Sequence, residues 1–145
     1  MAEKLQLEVV TPDRLVLSES VDIVMAIGSL GEFGILPNHV PFLSPLMAGE
    51  LRYRKDNQLD YLVITGGFAE VSQNKVTVLA EAAERAREID LDRAKRAKER
   101  AEKRMALAKS EAVDYIRAEA ALRRALLRLK VVERGHEPKL FPNPR

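Results

Sequence analysis

The sequence predicts two modules in series: an all-β sandwich or barrel, then an antiparallel hairpin of two α-helices. Three observations carry that prediction. Short apolar stretches with period-two alternation, each bounded by a turn signal, recur between Leu5 and Ala80. From Phe68 to Arg134 there is no glycine and no proline, the two residues that most often stop helices. Beyond Leu79, alanine, arginine, lysine and glutamate replace the β-branched residues, a composition that favours helix over strand. The module boundaries follow: 1–84 for the sandwich, 85–134 for the helices, and 135–145 for a proline-rich tail.

Taken in order, Leu5, Leu7 and Val9 alternate with polar residues, as in a half-buried strand. Thr11-Pro12-Asp13 is a turn signal. Arg14 to Leu17 and Val21 to Ile27 read as further strands, the second nearly continuous in apolar residues and therefore central. Pro45 limits Phe42-Leu43-Ser44-Pro45-Leu46 to an edge or a turn. Leu51 to Arg54 and Leu59 to Thr65 form two strands around Lys55-Asp56-Asn57-Gln58, and Gly66-Gly67 punctuates. Phe68 to Ser72 and Lys75 to Ala80 make a last hairpin over Gln73-Asn74. Strands at this spacing suit a sandwich or barrel of roughly 80 residues.

In the helical half, Asp90 is a good N-cap for a helix starting at Leu91. Leu91, Ala94, Ala97, Ala101, Met105 and Ala108 recur at threes and fours along one face. Asp92 with Arg96 and Glu99 with Lys103 are favourable i,i+4 pairs. A second helix places Tyr115, Leu122, Leu126 and Leu129 on one face, broadened by Ile116, Ala120 and Leu127, with a stop at Gly135 before Pro138. Only Lys109-Ser110-Glu111 lies between the helices, so two shapes stay open. Residues 90–133 can form a single helix, about 66 Å long at 1.5 Å per residue. Alternatively, Ser110 caps a second helix that folds back. The folded-back seam is mostly alanine, and each methyl contributes only about 0.8 kcal/mol. A weakly held hairpin with an extended alternative is a candidate switch.

Composition narrows the function. The chain has 145 residues, 46% hydrophobic and 32% charged, enough for one domain or two small ones with an extensive core. It has no cysteine, which excludes disulfides, thiolate metal sites and a cysteine nucleophile. No apolar run approaches the ~20 residues of a membrane-spanning helix. The start, Met-Ala-Glu-Lys-Leu, is unlike a signal or transit peptide, so a bacterial cytosol or a plastid is the expected location. The net charge of +2 hides an asymmetry. Residues 1–80 carry six Lys/Arg against ten Asp/Glu, a net of −4; residues 85–130 carry fifteen against eight, a net of +7. Such a split suits two modules with different partners.

Catalysis finds little support. His39 and His136 lie in different modules, and no Gly-x-x-x-x-Gly-Lys phosphate loop is present. The basic helices leave a nucleic-acid-binding module as the alternative. Against it, Tyr115 is the only aromatic among the helices, and acids are interleaved with the bases.

The most distinctive stretch is Gly28-Ser29-Leu30-Gly31-Glu32-Phe33-Gly34-Ile35-Leu36-Pro37-Asn38-His39-Val40-Pro41-Phe42. Its glycines at every third position predict a tight exposed loop or the corner of a hairpin. Phe33, Ile35 and Leu36 would anchor it, and Pro37 and Pro41 would stiffen a turn around His39. A rigid loop displaying Glu32 and His39 suits docking to another protein.

This stretch strongly resembles the epsilon subunit of bacterial and chloroplast F-type ATP synthases, whose mitochondrial counterpart is called delta. The resemblance runs from about Leu5 to Val132. It implies a non-catalytic rotor part whose sandwich links the gamma subunit to the c-ring. It also implies helices that, when extended along gamma into the alpha/beta head, inhibit ATP hydrolysis. Lys95, Arg96, Lys98, Arg100, Lys103, Arg104, Arg123, Arg124 and Arg128 are the cations available to meet an acidic loop of the catalytic subunits there. By the same resemblance Glu32 faces the membrane rotor ring and His39 lies near gamma. No cofactor, metal or nucleic acid is implied, and the location becomes peripheral, on the cytoplasmic face of a bacterial inner membrane or on a thylakoid. Read from the residues alone, Ile89-Asp90-Leu91-Asp92-Arg93-Ala94 is a capped helix start. It is also similar to the Ile-Asp-x-x-Arg-Ala motif through which some of these subunits bind ATP as a regulatory ligand. That similarity carries over Glu84, Asp90, Arg93 and Arg100, with Arg123, Arg124 and Arg128 as the second-helix arginines.

Overall fold

A computed structural model describes residues 3–108 and 112–136. Ten strands form one sheet. They are β1 Leu5–Val10, β2 Leu15–Val21, β3 Ile23–Gly28, β4 Gly31–Ile35, β5 Phe42–Leu46, β6 Gly49–Lys55, β7 Gln58–Ile64, β8 Gly67–Ser72, β9 Lys75–Ala80 and β10 Ala83–Arg85. Their order is β10-β7-β6-β3-β5-β8-β9-β1-β2, with β4 added to β3. Among the described residues only β1 and β9 pair in parallel. β2, at one end of this path, touches β6 and β10 near the other end, so the sheet folds over itself into a sandwich.

Alternation decides which side chains fill it. Leu5, Leu7 and Val9 of β1 face inward with Val76 and Val78 of β9 and Val71 of β8, all essentially inaccessible. Tyr53 is the largest buried side chain, and burial pushes its phenol above the ordinary tyrosine range. Arg85 Nη2 lies 3.4 Å from that hydroxyl and supplies its polar partner. The two short hairpins turn on Asp56-Asn57 and Gln73-Asn74, all with positive φ. That is the backbone whose twist matches the flanking strands.

Several expectations change. Gly31–Ile35 is a strand paired along β3, not a loop; the corner is confined to Ser29-Leu30. Ile35 is buried as an anchor, but Leu36 is exposed. β5 pairs with β8 along its length and with β3 through Gly28 and Leu46 only, which leaves the largely open edge that Pro45 needs. A further strand, β10, follows the expected last one and pairs with β7.

A 3-10 turn, Ala86–Glu88, leads into helix α1, Leu91–Leu107, and helix α2 spans Ala112–His136. Asp90 caps α1 as expected, its carboxylate accepting from the Arg93 N–H at 3.1 Å. α1 and α2 pack on each other, so the structure adopts the folded-back hairpin and not one long helix. The α1 face is the expected one, with Ala94 and Ala101 buried. On α2 the inner face is instead Ala118 and Ala125, while Tyr115, Ile116 and Leu126 are exposed. Two alanine faces let the helices pack closely, while Leu122, Leu127 and Leu129 are half-buried beside the seam. Among the described residues the intrahelical ion pairs are Lys98–Glu102 and Glu119–Arg123 rather than those expected. α2 runs one residue past Gly135. The Lys109-Ser110-Glu111 join and the tail from residue 137 lie outside the described residues.

Candidate functional site

The hairpin lies on the sandwich through α2, which contacts β6, β7 and the 3-10 turn. One cross-strand row receives it: Glu84 of β10, Val63 of β7 and Glu50 of β6 stand opposite one another. Val63 is buried, as are Val131 and Val132 near the end of α2. Arg128 grips Glu84 through three hydrogen bonds, Nε to both carboxylate oxygens at 3.1 and 3.0 Å and Nη2 to Oε1 at 2.7 Å. Six residues on, Arg134 pairs with Glu50. Two guanidinium–carboxylate clamps therefore flank an apolar contact. The Arg128–Glu84 pair is forked, and forked pairs are among the strongest polar contacts available.

Beside the first clamp is a cleft of about 390 Å³. Glu84, Asp90, Arg93, Arg100 and Arg128 all line it, so five of the seven residues carried over from the nucleotide motif come together. Arg124 lines an adjoining groove with Arg100 and Arg128. Arg123 does not join them: it is exposed and pairs with Glu119 at 2.7 Å. Arg124 and Arg128 lie on the side of α2 that faces the cleft and Arg123 does not, because residues four apart share a helix face and adjacent ones do not.

Sequence reasoning missed two lining residues, Arg14 and Glu88, which pair with each other at 3.1 Å. Arg14 follows Thr11-Pro12-Asp13, and its N–H reaches the Thr11 hydroxyl at 3.3 Å. No local pattern places this turn against residues more than seventy positions later. The cleft thus gathers four arginines and three carboxylates. Arg128 and Arg14 are committed to Glu84 and Glu88, whereas Arg93 and Arg100 have no carboxylate partner among the described residues. Unpaired guanidiniums are suited to phosphate oxygens, and nearby carboxylates to an amino group.

Glu32 and His39 are not brought together. Glu32 is the second residue of β4, beside the β3–β4 corner, and His39 lies past the other end of that strand. Glu32 is paired with Arg52 and remains half-exposed. The His39 ring sits 2.7 Å from the Val40 carbonyl oxygen and edge-on to Phe42. Its loop is pinned by the Asn38 N–H, which donates to the Asn74 side chain at 2.9 Å.

A second surface escaped the sequence reading. Pro45 stands opposite Phe68, Phe68 opposite Leu79, Leu79 opposite Val10, and Val10 opposite Leu15. Phe68, Leu79 and Leu15 are each more than half exposed. This apolar row crosses five strands on the outer face. A contiguous exposed apolar patch marks a protein contact. The signal was present as apolar residues on the wrong parity of each strand, yet which parity faces out is visible only once the strands are paired.

Comparison with known proteins agrees with both modules. Residues 4–86 match the family described as ATP synthase, Delta/Epsilon chain, beta-sandwich domain. Residues 87–133 match ATP synthase, Delta/Epsilon chain, long alpha-helix domain. The ATP synthase epsilon chain of Nitratidesulfovibrio vulgaris is 60% identical over 131 residues, 90% of this chain and 97% of the relative. That of Syntrophobacter fumaroxidans is 58% identical over 134 residues, 92% and 99% of the two chains. Among solved structures, a chain of the Euglena gracilis mitochondrial ATP synthase (OSCP/F1/c-ring, rotational state 1) superposes with a TM-score of 0.72 at 25% identity. It covers 92% of this chain and 82% of that one. A Tetrahymena thermophila chain at 16% identity and TM-score 0.58 shares the fold. The chain belongs to the ATP synthase delta/epsilon family.

Proposed function

We propose that the chain is a central-stalk subunit of an F-type ATP synthase, coupling gamma to the c-ring and restraining ATP hydrolysis through its helices. The observation that carries this reading is the exposed cross-strand apolar row from Pro45 to Leu15, continuous across five strands of the sandwich. Its relatives are epsilon chains, and a solved neighbour comes from an F1/c-ring assembly. The chain has no active site of its own in this reading. It is peripheral, reaching a bacterial inner membrane from the cytoplasmic side through its partners; among the described residues no helix is long and apolar enough to cross a membrane. The nucleic-acid alternative has no support, and Arg128 and Arg134 are committed to sandwich carboxylates. Capture of the tagged chain from mildly solubilised membranes should bring down the other synthase subunits. Capture of nucleic acid alone overturns the reading.

ATP is proposed as a ligand of the arginine cleft, regulatory and not a substrate. Arg93 and Arg100 would hold its phosphates, Asp90 and Glu84 would face the base, and Arg14 would add a cation from the sandwich. Because Arg128 comes from α2, a nucleotide here bridges both helices and favours the docked hairpin. A ligand at 100 times its dissociation constant stabilises the form it binds by about 2.7 kcal/mol. Calorimetry on the isolated chain should show binding that Arg93→Ala abolishes. Arg14→Ala should weaken it about tenfold, the loss of one charge-assisted contact of roughly 1.4 kcal/mol. No heat at millimolar ATP with the wild-type chain would refute the nucleotide site.

A further inference from the structure

The two clamps on α2 differ in one respect. Glu84 is about one-third exposed, but the Glu50 side chain is only 7% exposed. Glu50 Oε1 faces both Arg134 and the Arg52 Nε, the latter at 3.5 Å. Its Oε2 is buried with no hydrogen-bond partner among the described residues. Arg52 is shared, because its Nη2 also pairs with Glu32 of β4. The register permits that reach: Arg52 stands opposite Met25, and Met25 opposite Gly34, which offers no side chain in the way. Four side chains thus form a chain of alternating charge, Glu32–Arg52–Glu50–Arg134, from the β3–β4 corner to the end of α2.

A buried carboxylate needs a cation, and removing its partner costs far more than an exposed pair is worth. Arg52 at 3.5 Å is longer than a committed charge-assisted bond of about 2.7–2.9 Å. While Glu32 holds Arg52, Glu50 therefore depends on Arg134.

We propose that Glu32 and the end of α2 are coupled through competition for Arg52. With Glu32 on Arg52, Arg134 is needed by Glu50 and α2 stays docked. When Glu32 is drawn to a cation on a partner, Arg52 closes on Glu50 and the Arg134 clamp is released. The coupling is reciprocal, as linkage requires: undocking α2 turns Arg52 towards Glu50 and frees Glu32 for the partner. The bistable element is the last turns of α2, docked or lifted. The identity of the partner, a cationic surface of the rotor, rests on the stalk-subunit reading; the coupling itself belongs to the isolated chain.

Hydrogen exchange of the backbone amides of residues 128–134 in the isolated full-length chain tests it. Glu32→Gln should accelerate their exchange about fivefold, the lower end of common coupling strengths, with core amides of β1 and β9 unchanged. In an Arg52→Gln background the same Glu32→Gln change should have no effect. If Arg52→Gln impairs folding, Arg52→Lys serves instead, because a compact ammonium cannot span two carboxylates as a fork does. Exchange unaltered by Glu32→Gln overturns the coupling. So does an acceleration that persists without Arg52, or one that extends equally to β1 and β9. Failure to capture synthase subunits would refute the stalk reading and leave this result standing.

Discussion

Gly67→Ala is expected to remove much of the stability of the sandwich. Gly67 opens β8 with a φ of +143°, and a Cβ there would lie 2.0 Å from the Leu79 carbonyl oxygen and 2.9 Å from the Ala80 Cα. Both obstacles are backbone of the neighbouring strand, so no rotamer change relieves them. Gly67 also pairs on both sides, with Leu46 of β5 and Ala80 of β9. Positive φ in an alanine adds roughly 1–3 kcal/mol, and an overlap that moves a strand adds about 1–3 kcal/mol or more. Domains of this size hold only about 5–15 kcal/mol in total. Circular dichroism during chemical denaturation should show a transition shifted to much lower denaturant, or none. Gly31→Ala is the control: its φ is also positive, but nothing lies within 4 Å of the added methyl. A wild-type transition for Gly67→Ala would mean that β8 and β9 can separate at Gly67 at little cost.

The second large effect is loss of regulation without loss of fold. A chain ending at Glu88 keeps β10 on β7 and the 3-10 turn, and forfeits both helices. Exposing Val63 costs about 2 kcal/mol, and Glu50 passes into water, where it needs no clamp. The sandwich core from Leu5 to Ala83 is untouched. The fragment should melt cooperatively, still co-purify with the stalk through its apolar row, and lose restraint of ATP hydrolysis in the assembled enzyme. A fragment that is unstructured by circular dichroism would show that the helices complete the fold instead of resting on it.

Much of this protein was legible before folding. Leu5, Leu7 and Val9 alternate strictly, and a strand with one buried face has little choice of register. Asp56-Asn57 and Gln73-Asn74 carry the turn chemistry that hairpins require. Asp90 caps α1 because a short carboxylate before a helix meets a free N–H by local geometry alone. Asp90, Arg93 and Arg100 of the arginine cleft were named through the family resemblance; Asp90 caps α1, and Arg93 and Arg100 lie two turns apart along it.

Contacts between distant segments were not. The three-glycine stretch read as a loop because glycine is permissive; pairing with β3 makes it a strand and separates Glu32 from His39. On α2 the longest apolar side chains did not mark the packed face, because two alanine faces approach more closely than leucine allows. Arg14 and Glu88 meet across more than seventy residues.

By itself the sequence determined the two modules, the turns, the α1 cap and the family, all of which depend on neighbours a few residues apart. Only the tertiary structure decided which shape the helices take, which second-helix arginine enters the cleft, and that Arg52 stands between Glu32 and Glu50. Those outcomes depend on charge and shape meeting across strands, where sequence separation carries no information about distance.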